Sequence, residues 1–268
     1  SGHGEAVAKA LAQEGADLFI LGRNPEKCVR VRDEIAGETA RVPGIILCDL
    51  SSRKDIRRAA GEFLSLGRPL HLLVNNAGLV NRNFRETGDG VEETIAVNYL
   101  AMFQLTMLLL DCIVSSAPAR IVNVSSDSHR IASIDPDDIE GRRGRYSIMG
   151  AYGRSKLAIV HFTMELARRL EGRGVTVNAV DPGPVASGIA DKEGIVGKAA
   201  NAIIRLTFPR PERAARTALH LAVSPYVEGM TGGYWRFMKK KEPRLAGCPD
   251  IGERLWKVSE GMTGISAV

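Results

Sequence analysis

The chain has 268 residues, of which 44% are hydrophobic and 25% charged, a composition typical of one globular domain with a sizeable core. Its formal charge is only +5, and its basic residues are scattered among acidic ones, which argues against nucleic-acid binding and is compatible with a phosphorylated cofactor. The four cysteines form no metal-binding pair, and no apolar run reaches the roughly 18 residues of a membrane helix, so we predict a reduced, metal-free, cytoplasmic protein.

The chain opens with Ser1-Gly2-His3-Gly4, followed at once by a helical pattern of apolar residues. Gly-x-Gly at the start of a helix is typical of a phosphate-binding turn, where the missing side chains let a pyrophosphate approach the helix N-terminus. A strand ought to precede such a turn, but this sequence begins inside the turn. We therefore expect the native protein to extend upstream, where a membrane anchor could also lie.

The first strand is predicted at residues 16–21 and ends in Gly22-Arg23-Asn24-Pro25, with the proline opening a helix at 25–36. In a dinucleotide-binding fold, the residue after this strand meets the adenosine ribose. An acid there selects NAD, whereas an arginine accommodates the 2′-phosphate of NADP. Arg23 therefore predicts NADP, and the alternative is an arginine that only ends the strand.

The next strands are predicted at residues 44–48 and 70–74, separated by a helix that Ser51 or Ser52 caps. The second of them is a continuous apolar run of the kind that is buried on both faces of a parallel sheet. It ends in Asn75-Asn76-Ala77-Gly78. Because open α/β sheets bind ligands at the carboxyl ends of their strands, we expect these residues to line a ligand crevice.

A helix at residues 90–115 carries Asn98 among apolar residues, where a buried amide needs partners in a structural bridge or in a site. The following strand, at 120–126, places Ser126 at its carboxyl end. After a long polar stretch, a helix at 151–170 brings Tyr152 and Lys156, four residues apart, onto one face. A cation beside a phenol favours the phenolate, so this pair predicts a lowered tyrosine pKa, although such pairs often lie unused on surfaces.

A buried strand at residues 174–180 ends in Asp181-Pro182-Gly183-Pro184, and a helix at 211–223 and a short strand at 232–235 follow. The segment at 185–209 suits a lid over an apolar substrate, although a pair of surface helices explains it equally well. We assign residues 1–238 to one domain and 239–268 to a C-terminal tail extension. Strands alternating with helices six times predict an α/β fold, a doubly wound parallel sheet of the Rossmann type that lacks its first strand.

Within that setting, several motifs occur in the order and spacing of the short-chain dehydrogenase/reductase family, which the chain resembles over essentially its whole length. They are Gly2-x-Gly4, Asn75-Asn76-Ala77-Gly78, Asn98, Ser126, Tyr152-x-x-x-Lys156 and Pro182-Gly183. Two longer stretches are similar to the retinol dehydrogenase-like branch of that family. They are Arg120-Ile-Val-Asn-Val-Ser-Ser126 and Leu255-Trp256-Lys257-Val258-Ser259-Glu260.

The resemblance implies a role for each catalytic position. Tyr152 is the expected general acid/base, and Lys156 is expected to lower the pKa of the tyrosine and to hold the nicotinamide ribose. Ser126, rather than Ser125, matches the serine that hydrogen-bonds the substrate oxygen. Asn98 matches the residue that positions a water for proton relay.

The resemblance also implies a set of cofactor residues, drawn from the whole chain. Besides Tyr152 and Lys156, they are Ser1, Gly2, His3, Gly4, Arg23, Asp49, Leu50, Asn76, Ala77, Gly78, Pro182, Gly183 and Val185. His3 replaces the apolar residue that is usual in the family, and we interpret it as a tolerated variant.

The function implied is an NADP(H)-dependent oxidoreductase that interconverts a carbonyl and an alcohol on a lipophilic small molecule. The alternative is a binding or scaffold protein whose cofactor site is impaired. Apolar stripes on the helices at 90–115 and 151–170 favour a homodimer or homotetramer.

Overall fold

The computed structural model describes residues 2–183, 211–245 and 250–265. The strands are β1 (Phe19–Gly22), β2 (Gly44–Leu47), β3 (Leu72–Asn75), β4 (Ala119–Val124), β5 (Val175–Asp181), β6 (Tyr234–Arg236) and β7 (Lys239–Lys241). The helices are α1 (His3–Gln13), α2 (Pro25–Glu38), α3 (Arg53–Ser65), α4 (Glu93–Ser115), α5 (Ile148–Arg169), α6 (Pro211–Val223) and α7 (Ile251–Thr263). Short 3₁₀ turns lie at Asp127–Ile131, Pro136–Asp138 and Pro225–Val227. The elements predicted from the sequence are present, with boundaries shifted by a few residues.

The strands form two parallel groups that share hydrophobic cores. β1 pairs with β2, and β3, β4, β5 and β6 pair in that order, with β7 antiparallel at the far edge. Phe19 of β1 and Leu73 of β3 pack into the same core although their strands are not paired with each other. β3 packs on a core at each face, through Leu73 on one side and through Leu72 and Val74 on the other, but it is an edge strand and its residues are half-buried.

Polar caps determine where the helices that carry the site begin. Asn24 accepts a hydrogen bond from the Lys27 amide at the start of α2, and Ser52 does the same for α3. Ser147 accepts from the Gly150 amide, so α5 begins at Ile148, before the predicted residue 151. The earlier start places Tyr152 in the second turn of α5, inside the regular part of the helix.

The C-terminal helix α7 covers the outer faces of α4 and α5. Trp256 is buried and stacks on Phe162, with ring centroids 5.7 Å apart and planes at 17°. The Arg169 guanidinium lies 4.1 Å from the centroid of the Trp256 ring, and the Tyr99 and Ser259 hydroxyls are 2.8 Å apart. The segment expected as a tail extension therefore folds onto the domain. It packs on aromatic side chains of both helices, Phe103 of α4 and Phe162 of α5.

Helix α4 is, by length and composition, the one described helix that could span a membrane. Its apolar window is 67% buried inside the fold, however, and it packs against α3 and the core. Residues Ala96–Leu100 form a π-helical turn within it. Such turns often occur at functional sites because they interrupt the regular hydrogen-bond ladder.

Candidate active site

The two serines that follow β4 diverge. Ser125 is buried, and its hydroxyl donates a 2.9 Å hydrogen bond to the Lys156 carbonyl, which fixes β4 against α5. Ser126 is half-buried, caps the 3₁₀ turn Asp127–Ile131 through the Ser128 amide, and lies close enough to the Tyr152 side chain to lower the pKa of the tyrosine. Of the two hydroxyls, that of Ser126 is the one beside the tyrosine, at the position that the resemblance implies.

Tyr152 and Lys156 lie one turn apart on α5, beside the carboxyl end of β4. The lysine is buried, with only 3% of its surface exposed. Its Nζ donates a 3.0 Å hydrogen bond to the Val124 carbonyl. Nζ lies 5.5 Å from the centroid of the Tyr152 ring. An ammonium has three N–H groups and Val124 takes one, so the lysine can donate further hydrogen bonds into the site.

Burial changes the acidity of both side chains. It lowers the pKa of Lys156 to about 8 because charge is costly away from water. Burial also raises the pKa of Tyr152 above its ordinary value, an effect that the neighbouring Ser126 hydroxyl offsets only in part. The expectation of a lowered tyrosine pKa is therefore wrong for this structure, because desolvation dominates at Tyr152. Tyr152 is a neutral phenol at pH 7.

Asn98 lies in the π-helical turn of α4 and connects that turn to the loop after β3 and to α5. Its Oδ1 accepts from the Leu79 amide at 2.7 Å, and its Nδ2 donates to the Leu79 carbonyl at 3.0 Å and to Ser155 Oγ at 3.0 Å. These bonds tie the loop after β3 to α5. A Cβ on Gly78 would lie 3.4 Å from both Asn98 Oδ1 and Lys156 Nζ, so the glycine leaves space above the two side chains.

The glycine turn at the start of α1 meets the end of β3 through Asn76. His3 is buried, and its Nδ1 lies 2.7 Å from Asn76 Oδ1. A Cβ on Gly4 would stand only 2.4 Å from Asn76 Nδ2, so no larger residue fits there without displacing the amide. The pKa of His3 is lowered, chiefly by burial, which keeps the ring neutral. His3 thus pairs with a predicted cofactor residue, and its replacement of an apolar residue has a structural use.

The other predicted cofactor residues are spread along the same sheet edge. Arg23 is exposed just beyond β1. The Asp49 carboxylate accepts from the Ser51 amide and hydroxyl, at 3.0 and 2.8 Å, and Leu50 packs on the core. Ala77 is exposed after β3. Ser1, Val185 and the lid expected at 185–209 lie outside the described residues.

Asp181, to which the sequence assigned no role, is a buried carboxylate at the end of β5. Its Oδ1 accepts from the Gly183 amide at 2.8 Å, which shapes the Pro182-Gly183 turn, and its Oδ2 lies 3.2 Å from Arg236 Nε. Burial raises the pKa of Asp181, and its negative charge raises the pKa of Lys156. An acid placed directly after a buried parallel strand is the signal that could have identified it.

Fold and site together define a class of protein. A parallel sheet places a tyrosine and a lysine, one helical turn apart, beside a serine at the end of a central strand. Residues 1–194 match the sequence model of the short chain dehydrogenase family. The chain belongs to that family, and the predicted single-domain Rossmann-like α/β fold is confirmed.

More narrowly, the chain belongs to the retinol dehydrogenase-like branch. Human retinol dehydrogenase 13 is 38% identical over 275 residues, which cover 100% of this chain and 83% of the relative. Human polyprenol dehydrogenase is 37% identical over 274 residues, which cover 98% and 82%. Among solved structures, the Pseudomonas aeruginosa RhlG/NADP active-site complex matches with a TM-score of 0.68 and 28% identity, and the match covers 88% of this chain and 90% of that one.

Proposed function

We propose that this protein is an NADP(H)-dependent oxidoreductase that interconverts a carbonyl and an alcohol on a lipophilic small molecule. The observation that carries the proposal is the convergence of Tyr152, Ser126, Lys156 and Asn98 beyond the ends of β3 and β4. The names of the relatives, retinol dehydrogenase and polyprenol dehydrogenase, support a lipophilic alcohol or its carbonyl counterpart as substrate.

In the reductive direction, the neutral Tyr152 phenol donates its proton to the carbonyl oxygen as that oxygen gains negative charge. The Ser126 hydroxyl donates a hydrogen bond to the same oxygen and stabilises the developing charge. The buried Lys156 ammonium then stabilises the phenolate that remains, since charges interact strongly away from water. In the oxidative direction, the phenolate takes the alcohol proton, and the same contacts operate in reverse.

Asn98 holds the segments that carry these side chains in place. It clamps the loop after β3 to α5 by hydrogen bonds to Leu79 and Ser155, which fixes Gly78 opposite Lys156. The role in water relay that the resemblance implies stays part of the proposal. It would have to use the second lone pair of Oδ1 or the π-helical backbone, because both Nδ2 protons already have partners.

The described residues fit a dinucleotide. Gly4 and Gly78 each leave room that a Cβ would fill, Lys156 has donors to spare for ribose hydroxyls, and Arg23 is free to meet a 2′-phosphate. When bound, the nicotinamide supplies or accepts the hydride. We propose NADP over NAD on the strength of Arg23, and an NADP complex among the structural relatives supports that choice.

Cofactor binding followed by turnover tests the proposal. We expect NADPH to raise the melting temperature of the protein and to be oxidised in the presence of retinoid, steroid or simple aldehyde substrates. Stabilisation without turnover across that panel would favour the alternative, a binding or scaffold protein. Absence of both would reject the proposal. Localisation in the cytoplasm and a homodimer or homotetramer stay predictions.

A further inference from the structure

The turn between β6 and β7 exposes two large apolar side chains. Arg236 pairs with Lys239 across the hairpin, so Phe237 and Met238 form a two-residue loop. Phe237 is 60% exposed and Met238 48% exposed. Tight turns on protein surfaces are usually polar, so this pair calls for a physical explanation.

The backbone makes the choice of residues more unusual. Both residues have positive φ, 52° for Phe237 and 58° for Met238, as expected for the type I′ turn that joins tightly paired strands. Asn-Gly and Gly-Gly adopt this geometry easily, whereas a residue with a bulky Cβ substituent is strained in it. The fold alone would therefore favour other residues here. Strain of this kind tends to persist where a surface has a function.

The turn lies at the same edge of the sheet as the active site and contacts the elements around it. The Met238 amide donates a 3.2 Å hydrogen bond to Thr217 of α6, and the Arg236 guanidinium lies 5.0 Å from the centroid of the Phe237 ring. A Cβ on Gly183 would lie 3.4 Å from the Phe237 ring, so the turn borders the Pro182-Gly183 segment. The two apolar side chains are thus exposed beside the site.

The strand that follows the turn is basic. Lys239, Lys240 and Lys241 make up the whole of β7, and all three are exposed. A row of lysines on an edge strand opposes pairing with the same strand of a second copy, because like charges would meet. Cations beside exposed apolar side chains are instead the combination that binds anionic lipid surfaces.

We propose that the β6–β7 hairpin docks on an anionic membrane surface. The two side chains of the turn enter the boundary between headgroups and acyl chains, and the three lysines of β7 contact the headgroups. Docking in this orientation turns the substrate edge of the sheet toward the lipid, where lipophilic molecules are dissolved. The proposal does not depend on the proposed function, since binding to lipid can be measured without turnover.

Co-sedimentation of the full chain with lipid vesicles tests the proposal. We expect binding to vesicles of phosphatidylcholine with phosphatidylserine and much weaker binding to phosphatidylcholine alone. Replacing the three lysines of β7 by glutamine should lower the partition coefficient on anionic vesicles roughly a hundredfold. No binding of the unaltered chain to anionic vesicles would overturn the proposal.

The decisive variant combines Phe237→Asn with Met238→Gly. It installs the favoured turn sequence, so we expect the melting temperature to rise while the vesicle partition coefficient falls about tenfold. The matched control is Tyr226→Asn, because Tyr226 is 84% exposed on the turn that follows α6, next to the Arg120 end of β4 and away from the site. Equal loss in the control, or unchanged binding in the turn variant, would overturn the proposal.

A second measurement locates the contact. Phe237→Trp adds an exposed indole to a protein whose Trp235 and Trp256 are buried, with 5% and 2% of their surfaces exposed. Its fluorescence should shift to the blue and be quenched by brominated lipid on anionic vesicles. Sedimentation velocity without lipid tests for self-association. If the unaltered chain is a dimer that the turn variant loses, while vesicle binding is intact, the turn contacts a second copy and the membrane proposal is rejected.

Discussion

The catalytic side and the nucleotide side of this site are built differently. On the catalytic side, Asn98 and Lys156 are buried and bonded across several elements of the fold. On the nucleotide side, Arg23 and Ala77 are exposed beyond the ends of β1 and β3. Within the described ranges, no hydrogen bond or ion pair involves the Arg23 side chain.

The difference has a physical cause. Buried polar groups must find partners inside the protein, so folding itself sets the catalytic geometry. Exposed groups are satisfied by water, so they gain specific partners only when a ligand arrives. The contrast predicts that substitutions on the catalytic side reduce turnover or change stability, whereas those at exposed residues of the nucleotide side, such as Arg23, reduce affinity alone.

The largest expected effect belongs to Tyr152→Phe. The variant keeps the ring but loses the proton, so we expect kcat to fall by about 10²- to 10⁴-fold with little change in NADPH affinity. Steady-state kinetics and cofactor titration measure the two quantities separately. Tyr226→Phe, at an exposed tyrosine away from the site, is the control and should match the unaltered protein. Retained turnover in Tyr152→Phe would remove that residue from the mechanism.

Lys156→Met should separate activity from stability. The pKa of Lys156 is about 8 in the fold against an ordinary 10.5, so below pH 8 its burial as a cation opposes folding. Removing the charge should lower turnover and raise the free energy of unfolding at pH 7 by about 3 kcal/mol, the equivalent of that shift. Urea denaturation checks this value.

The shift in the Lys156 pKa also determines whether the free energy of unfolding rises or falls with pH. Between pH 8 and 10.5 the unfolded chain binds more protons at this lysine than the folded chain does. The Lys156 contribution to stability therefore rises with pH across that window, and it is absent from the variant. Lys54→Met, on the exposed side of α3, should leave stability nearly unchanged. A destabilised Lys156→Met protein would show that the hydrogen bond to Val124 outweighs the cost of burying the charge.

Arg23→Ala tests the nucleotide side. Loss of a hydrogen bond between charged groups should raise the Kd of NADPH by about tenfold to a hundredfold while leaving that of NADH unchanged. Isothermal titration with both cofactors measures the ratio. Arg41→Ala, at an exposed arginine before β2, is the control. If both cofactors weaken equally, Arg23 does not read the 2′-phosphate, and the preference for NADP loses its basis.

The smallest expected effect is a shift in the pH dependence of kcat/KM when Asp181 is replaced. We expect kcat/KM for carbonyl reduction to fall as pH rises through about 8, because Lys156 then loses the charge that stabilises the Tyr152 phenolate. Asp181→Asn removes a negative charge that raises the lysine pKa, so the falling limb should move to lower pH. Asp111→Asn, exposed on α4, should not move it. A limb that stays in place would show that the profile reports another group.

Most positions of the site could be predicted from the order of residues in the sequence, and those that could not be predicted have a physical explanation. The i, i+4 spacing placed Tyr152 and Lys156 on one helical face, and α5 has them there. The choice of Ser126 over Ser125 came from the resemblance, and the structure puts only the former hydroxyl beside the tyrosine. Asp181 was overlooked because its influence acts through space, from β5 onto α5.

The pKa expectation failed for a related reason. A sequence shows that a cation lies near a phenol, but it does not show how much water surrounds either group. Desolvation raises the pKa of Tyr152, which is opposite to the direction expected from a neighbouring cation. Likewise, the sequence did not show that Trp256, in the segment expected as a tail, packs on Phe162 of α5.

By itself, the sequence determined the alternation of strands and helices, the carboxyl-end placement of Asn76, Ser126 and Pro182, and the family. These properties depend on local periodicity and on the rule that parallel strands present their carboxyl ends at one edge. Tertiary structure alone decided which side chains are buried, which polar atoms have partners, and what covers each apolar face. Burial and pairing depend on residues distant in the chain, so they become defined only when the fold brings those residues together.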